Sequence, residues 1–151
     1  MKKILFVCTG NTCRSPMAAV IFNAIAAEKG LDYIAESAGV AAVGDRPASV
    51  NAVKAVAEIG LDLSGHHTRF LPSLDLNEYA YFVALNDEHY AILQSLGIPD
   101  GMLRLLRRAP NVNDIYDLRQ GIADPYGGDL NAYRRCRDEI VGAVKLLIPT
   151  L

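Results

Sequence analysis

Short apolar runs alternate with segments of helical spacing along this chain. Lys2 to Val7 is apolar, brief and closed by turn residues, which predicts a buried strand. Pro16 to Lys29 is apolar nearly all round and stops at Gly30, which predicts a helix packed against a sheet. Tyr33 to Ser37 reads as a second strand, ending at Ala38-Gly39. Ser49 to Ile59 has helical spacing, with Val50, Val53, Val56 and Ile59 on related faces and Gly60 as the stop. Leu61 to Glu78 reads mostly as loop. Tyr81 to Leu85 is the third strand, and Asn86 or Asp87 caps a helix running to Leu96. Met102 to Leu106 is a fourth short strand. Arg107 to Gly128 is long and irregular, with one helical turn expected near Asp114 to Leu118. A last helix from about Asp129 to Leu147 turns Tyr133, Ile140, Val141, Val144, Leu147 and Ile148 inward and ends at Pro149.

Strands that alternate with helices imply βαβ crossovers and a parallel sheet. On such sheets ligands bind beyond the carboxyl ends of the strands. One rim should therefore gather residues 8–15, the loops after residues 37 and 85, and the long loop near Asp124. The length of 151 residues fits one domain, 1–151, with a sizeable core.

Composition narrows the function classes. A net charge of −2 and 21% charged residues carry no nucleic-acid footprint. Arg104, Arg107 and Arg108 read as a solvated face. Lys2-Lys3 with Ile4-Leu5-Phe6-Val7 is too short for a signal peptide, and no segment approaches a membrane span. A cytoplasmic location is expected, where thiols stay reduced. Three cysteines, an odd number, make no disulfide framework.

The densest chemistry lies in Val7 to Pro16, "VCTGNTCRSP". Cys8 and Cys13 do not have the usual zinc-knuckle spacing, and His66, His67, His89 and Cys136 would have to be brought in by the fold, so no metal is expected. The phosphate lysine of nucleotide-binding P-loops and the dinucleotide glycine signature are both missing. As strand, loop and helix start the stretch makes physical sense. Ser15 suits the N-cap and Pro16 the first helical position, so the loop ends at a helix terminus that attracts anions. Gly10 and Asn11 tolerate positive φ and let the loop curl into a nest of N–H groups. Arg14 adds a planar fork for two phosphate oxygens. Cys8 lies at the bottom. Helix terminus, N–H dipoles and guanidinium all favour thiolate, so its pKa should fall below the ordinary value, leaving a nucleophile beneath a bound phosphate. The leaving group needs an acid, and Asp124 in "ADPYGG" could be that acid or only part of a turn.

These residues resemble the low-molecular-weight protein tyrosine phosphatases. The resemblance rests on Cys8 to Pro16, on Glu36-Ser37-Ala38-Gly39 and on Asp124-Pro125-Tyr126, in that order along the whole chain. It implies a four-stranded parallel sheet flanked by helices on both faces, with a phosphate-binding loop after the first strand. It also implies a two-step reaction without metal or cofactor. Cys8 would attack phosphorus, while Arg14 and the N–H groups of Thr9, Gly10, Asn11, Thr12, Cys13, Arg14 and Ser15 hold the oxygens. Asp124 would protonate the leaving group and then activate water. The Ser15 hydroxyl would stabilise the thiolate. Asn11, Ser37 and His66 match a network that shapes the loop, although His67 offers the same chemistry one step away. Cys13 matches a cysteine that can pair reversibly with the nucleophile, or is only a small buried residue. Cys136 reads as packing. The implied partners are phosphorylated proteins, with a monomer or weak dimer as the working state.

Three features bear on the substrate. Thr12 stands where tyrosine-specific members often carry a bulky aliphatic residue. Gly127-Gly128 follow Tyr126 where a second aromatic is common, and Val40-Ala41-Ala42-Val43 lack a rim aromatic. "CTGNTCRSPMA" and the Asp-Pro-aromatic-Gly-Gly loop resemble the bacterial protein-arginine phosphatase branch. A threonine hydroxyl can face a guanidino group and Asp124 can pair with it. Phosphoarginine is therefore the expected substrate, with phosphotyrosine, on which Tyr126 could stack, as the alternative. Arsenate reduction would need redox cysteines near residues 80–90, and "YFVALNDEHY" has none. A non-catalytic phosphate-binding module would be expected to lack Cys8, Arg14 or Asp124.

Overall fold

A computed structural model of the chain describes residues 1–108 and 121–151. The helical turn expected near Asp114 to Leu118 lies outside the described residues. Four strands form one sheet: β1 (Lys2–Cys8), β2 (Tyr33–Gly39), β3 (Tyr79–Ala84) and β4 (Leu103–Leu105). All pair in parallel, in the order β2-β1-β3-β4. Side chains alternate across the sheet. Ile4, Phe6 and Cys8 of β1 enter one core, and Leu5 and Val7 enter the other.

The helices are α1 (Arg14–Glu28), α2 (Val50–Ala57), α3 (Asp87–Ser95) and α4 (Leu130–Leu147). Helix α1 is wedged between the sheet and α4, which explains why it is apolar nearly all round. Helix α3 covers the opposite face, with Leu93 beside Leu5, Val7 and Phe82. Asn86 caps α3 by accepting from His89 N, and Asp129 caps α4 by accepting from Ala132 N.

Four expectations change. Helix α1 begins at Arg14, with Cys13 in the N-cap position and no side-chain cap. Ser15 is thus inside the first turn, with its hydroxyl 2.8 Å from Cys8 Sγ. Pro16 is tolerated at the third helical position, where an N–H would have no intrahelical partner. In α2 the buried face is Ala52, Ala55 and Val56, while Val50 is 68% and Ile59 44% exposed. Small side chains let α2 lie close against α4, so the alanines decide its orientation. Helix α4 buries Cys136 and Ala143 beside Tyr133, Ile140, Val144 and Leu147, leaves Val141 and Ile148 half-buried, and tightens into a 3-10 turn, Ile148–Thr150, that contains Pro149. Within the basic cluster, Arg104 is not merely solvated. Its guanidinium lies 4.9 Å from the Tyr81 ring centroid and donates to Thr150 O at 2.8 Å.

The chain leaves β1 toward β2 on one side and later reaches β3 on the other. The end of β1 is therefore a topological switch point, the place where such sheets bind ligands. Beyond it, Val40 N donates to Cys8 O at 2.9 Å and Ala41 N to Thr9 O at 3.0 Å. This crossing is tight: a Cβ on Gly39 would lie 2.5 Å from Thr9 O and 2.9 Å from Asn11 N. Gly39→Ala is expected to cost about 1–3 kcal/mol, because backbone must move to make room. A denaturant midpoint equal to wild type would show that the crossing has slack.

Candidate active site

Cys8 is the last residue of β1 and Arg14 the first of α1, so five residues span the turn between them. Asn11 takes φ 58, the left-handed region, and curls the loop. Gly10 does not share that conformation, contrary to expectation; the turn needs only one such residue.

The loop closes on the Cys8 thiol. Ser15 Oγ lies 2.8 Å from Cys8 Sγ, and Asn11 N donates to the same sulfur at 3.3 Å. The Asn11 side chain, fully buried, donates to Ser15 Oγ and to Ser37 Oγ, both at 2.9 Å. His66 Nε2 lies 2.7 Å from Asn11 O. A carbonyl only accepts, so Nε2 carries the proton. Burial lowers the His66 pKa, against the hydrogen bond to Asn11. It is His66 that joins Asn11, Ser15 and Ser37, while His67 is exposed.

Arg14 is buried, and its Nη1 donates to Ile122 O at 3.1 Å. Its Nη2 lies 3.5 Å from Asp124 Oδ2. The other carboxylate oxygen accepts from Tyr126 N at 3.0 Å, so the turn itself aims the acid. Gly127, at φ 79, and Gly128, whose Cβ would meet Ala132 Cβ at 2.7 Å, let this turn lie against α4. Cys8, Arg14, Asp124, Tyr126 and the loop residues Thr9 to Cys13 line one pocket of about 420 Å³, with Ala41, Val43 and Arg46. Ser15, Ser37 and His66 stand behind it.

The thiol corrects one expectation. Burial pushes the Cys8 pKa up, and this outweighs the Ser15 hydroxyl, the Asn11 N–H and the Arg14 charge, which pull it down. The low-dielectric floor disfavours the anion that these donors favour. Cys13 Sγ lies 3.2 Å from Tyr133 OH. Burial and that contact push the phenol up to about 12, so Tyr133 stays neutral. Among the described residues, no three His, Cys, Asp or Glu side chains converge as a metal site.

Several supporting residues escaped the sequence reading. Arg69 N donates to Asn11 Oδ1 at 2.9 Å, while its guanidinium donates to Glu36 at 2.7 Å and to Tyr79 OH at 2.9 Å. His89, buried on α3, has Nε2 at 2.8 Å from Thr9 Oγ1. Burial, then the Arg14 charge, lower its pKa to about 4, so it is neutral near pH 7. Nothing in sequence pairs residue 9 with residue 89, or Arg14 with the carbonyl of Ile122.

A family model for low molecular weight phosphotyrosine protein phosphatase matches residues 3–151. The chain belongs to that family. It is 34% identical to a protein-arginine-phosphatase of Bacillus subtilis, over 98% of this chain and 95% of that one. It is 31% identical to an arsenate reductase of Bacillus cereus, over 95% and 92%. The solved structure of a low molecular weight protein tyrosine phosphatase from T. tengcongensis superposes with TM-score 0.87, at 36% identity and full coverage of both chains. The protein is thus a phosphatase of this family, with the parallel four-stranded fold of its relatives, and phosphoproteins are its substrate class.

The Glu36 cluster makes a pH prediction. Burial alone would raise its pKa, but hydrogen bonds from Arg69, Tyr79 and Lys3 hold it at about 2. A lowered folded-state pKa means that the ionised form stabilises the fold in full above the ordinary value of 4.5, and that this is lost as pH falls toward 2. Glu36→Gln should be less stable than wild type at pH 7, with the gap closing between pH 4.5 and 2. Thermal melts across that range test this, and a constant gap would count against it.

Proposed function

We propose that the protein hydrolyses phosphorylated protein side chains through a phosphocysteine on Cys8, with phosphoarginine as the favoured substrate. The carrying observation is the Cys8 thiol, held by Ser15 and Asn11 at the floor of a pocket that also contains the Arg14–Asp124 pair at 3.5 Å. In the first step sulfur bonds to phosphorus as the bond from phosphorus to the side-chain nitrogen or oxygen breaks. Asp124 gives its proton to that leaving atom. In the second step Asp124 takes a proton from water, which attacks phosphorus and releases the thiolate. Arg14 and the N–H groups of Thr9 to Ser15, the last two of them at the start of α1, hold the phosphoryl oxygens. The Ser15 hydroxyl, 2.8 Å away, opposes part of the burial that disfavours the thiolate.

The phosphoarginine reading rests on the walls. Thr12 presents a hydroxyl and little bulk, and Ala41 and Val43 are aliphatic. Tyr126 is the aromatic lining residue and is 77% exposed. Phosphotyrosine is the second reading, supported by Tyr126 as a surface for a phenyl ring. Arsenate reduction has less support. The cysteines are Cys8, Cys13 and Cys136, with none at the end of β3. We further place the protein in the cytoplasm, where three free thiols stay reduced, as one domain that works as a monomer or weak dimer.

Cys8→Ser is expected to keep binding phosphate and lose turnover by several orders of magnitude; unchanged turnover in a stopped assay would remove the thiol mechanism. The substrate is tested by rates on one peptide carrying phosphoarginine or phosphotyrosine. Wild type should favour phosphoarginine, and Thr12→Ile should shift the ratio toward phosphotyrosine. A wild-type preference for phosphotyrosine would reverse the assignment and leave the chemistry standing.

A further inference from the structure

Residues 43–46 form one rim of the pocket, and they are fastened to a buried side chain. The Thr68 hydroxyl, 3% exposed as a residue, donates to Val43 O and accepts from Arg46 N at 2.9 Å. Thr68 N donates to Arg46 O at 2.8 Å, and Asp45 N donates to Thr68 O at 3.4 Å. Between these bonds Asp45 takes φ 58, an uncommon state for a residue with a side chain. The stretch that pins this rim also holds the phosphate loop, through His66 and Arg69 on Asn11. Rim and cradle are thus fixed to each other through residues 66–69.

Arg46 is what the rim presents. Its backbone is bonded on both sides, yet its side chain is exposed and has no ion pair or hydrogen bond with any described residue. The other cation lining the pocket, Arg14, is buried and paired with Asp124. The phosphoryl cradle therefore has its own guanidinium, and a second, unneutralised one stands at the edge. A planar guanidinium in that position suits a carboxylate on the bound chain, two oxygens against two N–H groups.

We propose that Arg46 is a specificity residue that pairs with an acidic side chain beside the phosphorylated residue of the substrate protein. This rests on the phosphatase reading above. The contact lies at the rim and is the same before and during the reaction, so it lowers KM and leaves kcat unchanged. A half-solvated ion pair of this kind is worth about threefold to fivefold in kcat/KM.

The test uses the full chain and peptides with one phosphorylated residue, flanked on both sides by Glu, Gln or Lys. An unflanked aryl phosphate is the control. Wild type should favour Glu over Gln flanks by about threefold to fivefold, through KM, and lose that preference in high salt. Arg46→Gln should level the ratio, and Arg46→Glu should turn it toward Lys flanks. A Glu preference that persists in Arg46→Gln would overturn the assignment. So would an Arg46→Gln loss of equal size on every substrate, aryl phosphate included, which would put Arg46 on the phosphoryl group. No wild-type preference beside normal aryl phosphate turnover would sink this inference alone, whereas absent aryl phosphate turnover would sink the phosphatase reading beneath it.

Discussion

The site depends on one buried asparagine. Asn11 uses each of its polar atoms: N to Cys8 Sγ, O from His66, Oδ1 from Arg69 N, and Nδ2 to both Ser15 and Ser37. An unpaired polar atom in such a place would cost about 1–3 kcal/mol, so the set is held as a unit. It also fixes the left-handed backbone that turns the loop. Through Asn11, β1, the start of α1, the end of β2 and residues 66–69 are tied at a single point. The curvature of the cradle follows from these bonds.

Two opposed demands meet at Cys8. A nucleophile under a bound anion has to be shielded from water, and shielding raises its pKa. Ser15 and Asn11 N–H answer with donors aimed at the sulfur, and the first turn of α1 adds its positive end. The same first turn explains why Ser15 is not a cap. Cys13 occupies the N-cap, so Ser15 is the second helical residue and its hydroxyl is set against the Cys8 thiol.

The acid loop and the rim solve a related problem, that of holding charged groups near solvent. Asp124 is oriented by its own turn and by Arg14, whose other nitrogen is fixed on Ile122 O. The loop carrying Arg46 is fixed on Thr68. Both present charge on a restrained backbone, so little ordering is left for the moment a substrate binds.

The alternation of apolar runs and helical spacing was enough for a parallel α/β sheet, because each strand is a short run and the central β1 is buried on both faces. The cluster from Cys8 to Pro16 was legible for a similar reason: its residue types serve one local turn, and sequence distance is small. Asp124 was less so, since Asp-Pro and Gly-Gly mark turns of every kind, and only its 3.5 Å approach to Arg14 separates it from them. The choice of His66 over His67, the link from Arg69 to Asn11, His89 against Thr9, and the Thr68 anchor under Arg46 all join residues more than 20 positions apart. Such pairs come from packing, which no local period encodes. The burial that raises the Cys8 thiol is likewise a property of the folded core. Sequence alone thus determined the elements, their alternation and the chemistry of the loop; tertiary structure decided which distant side chains hold that loop in shape.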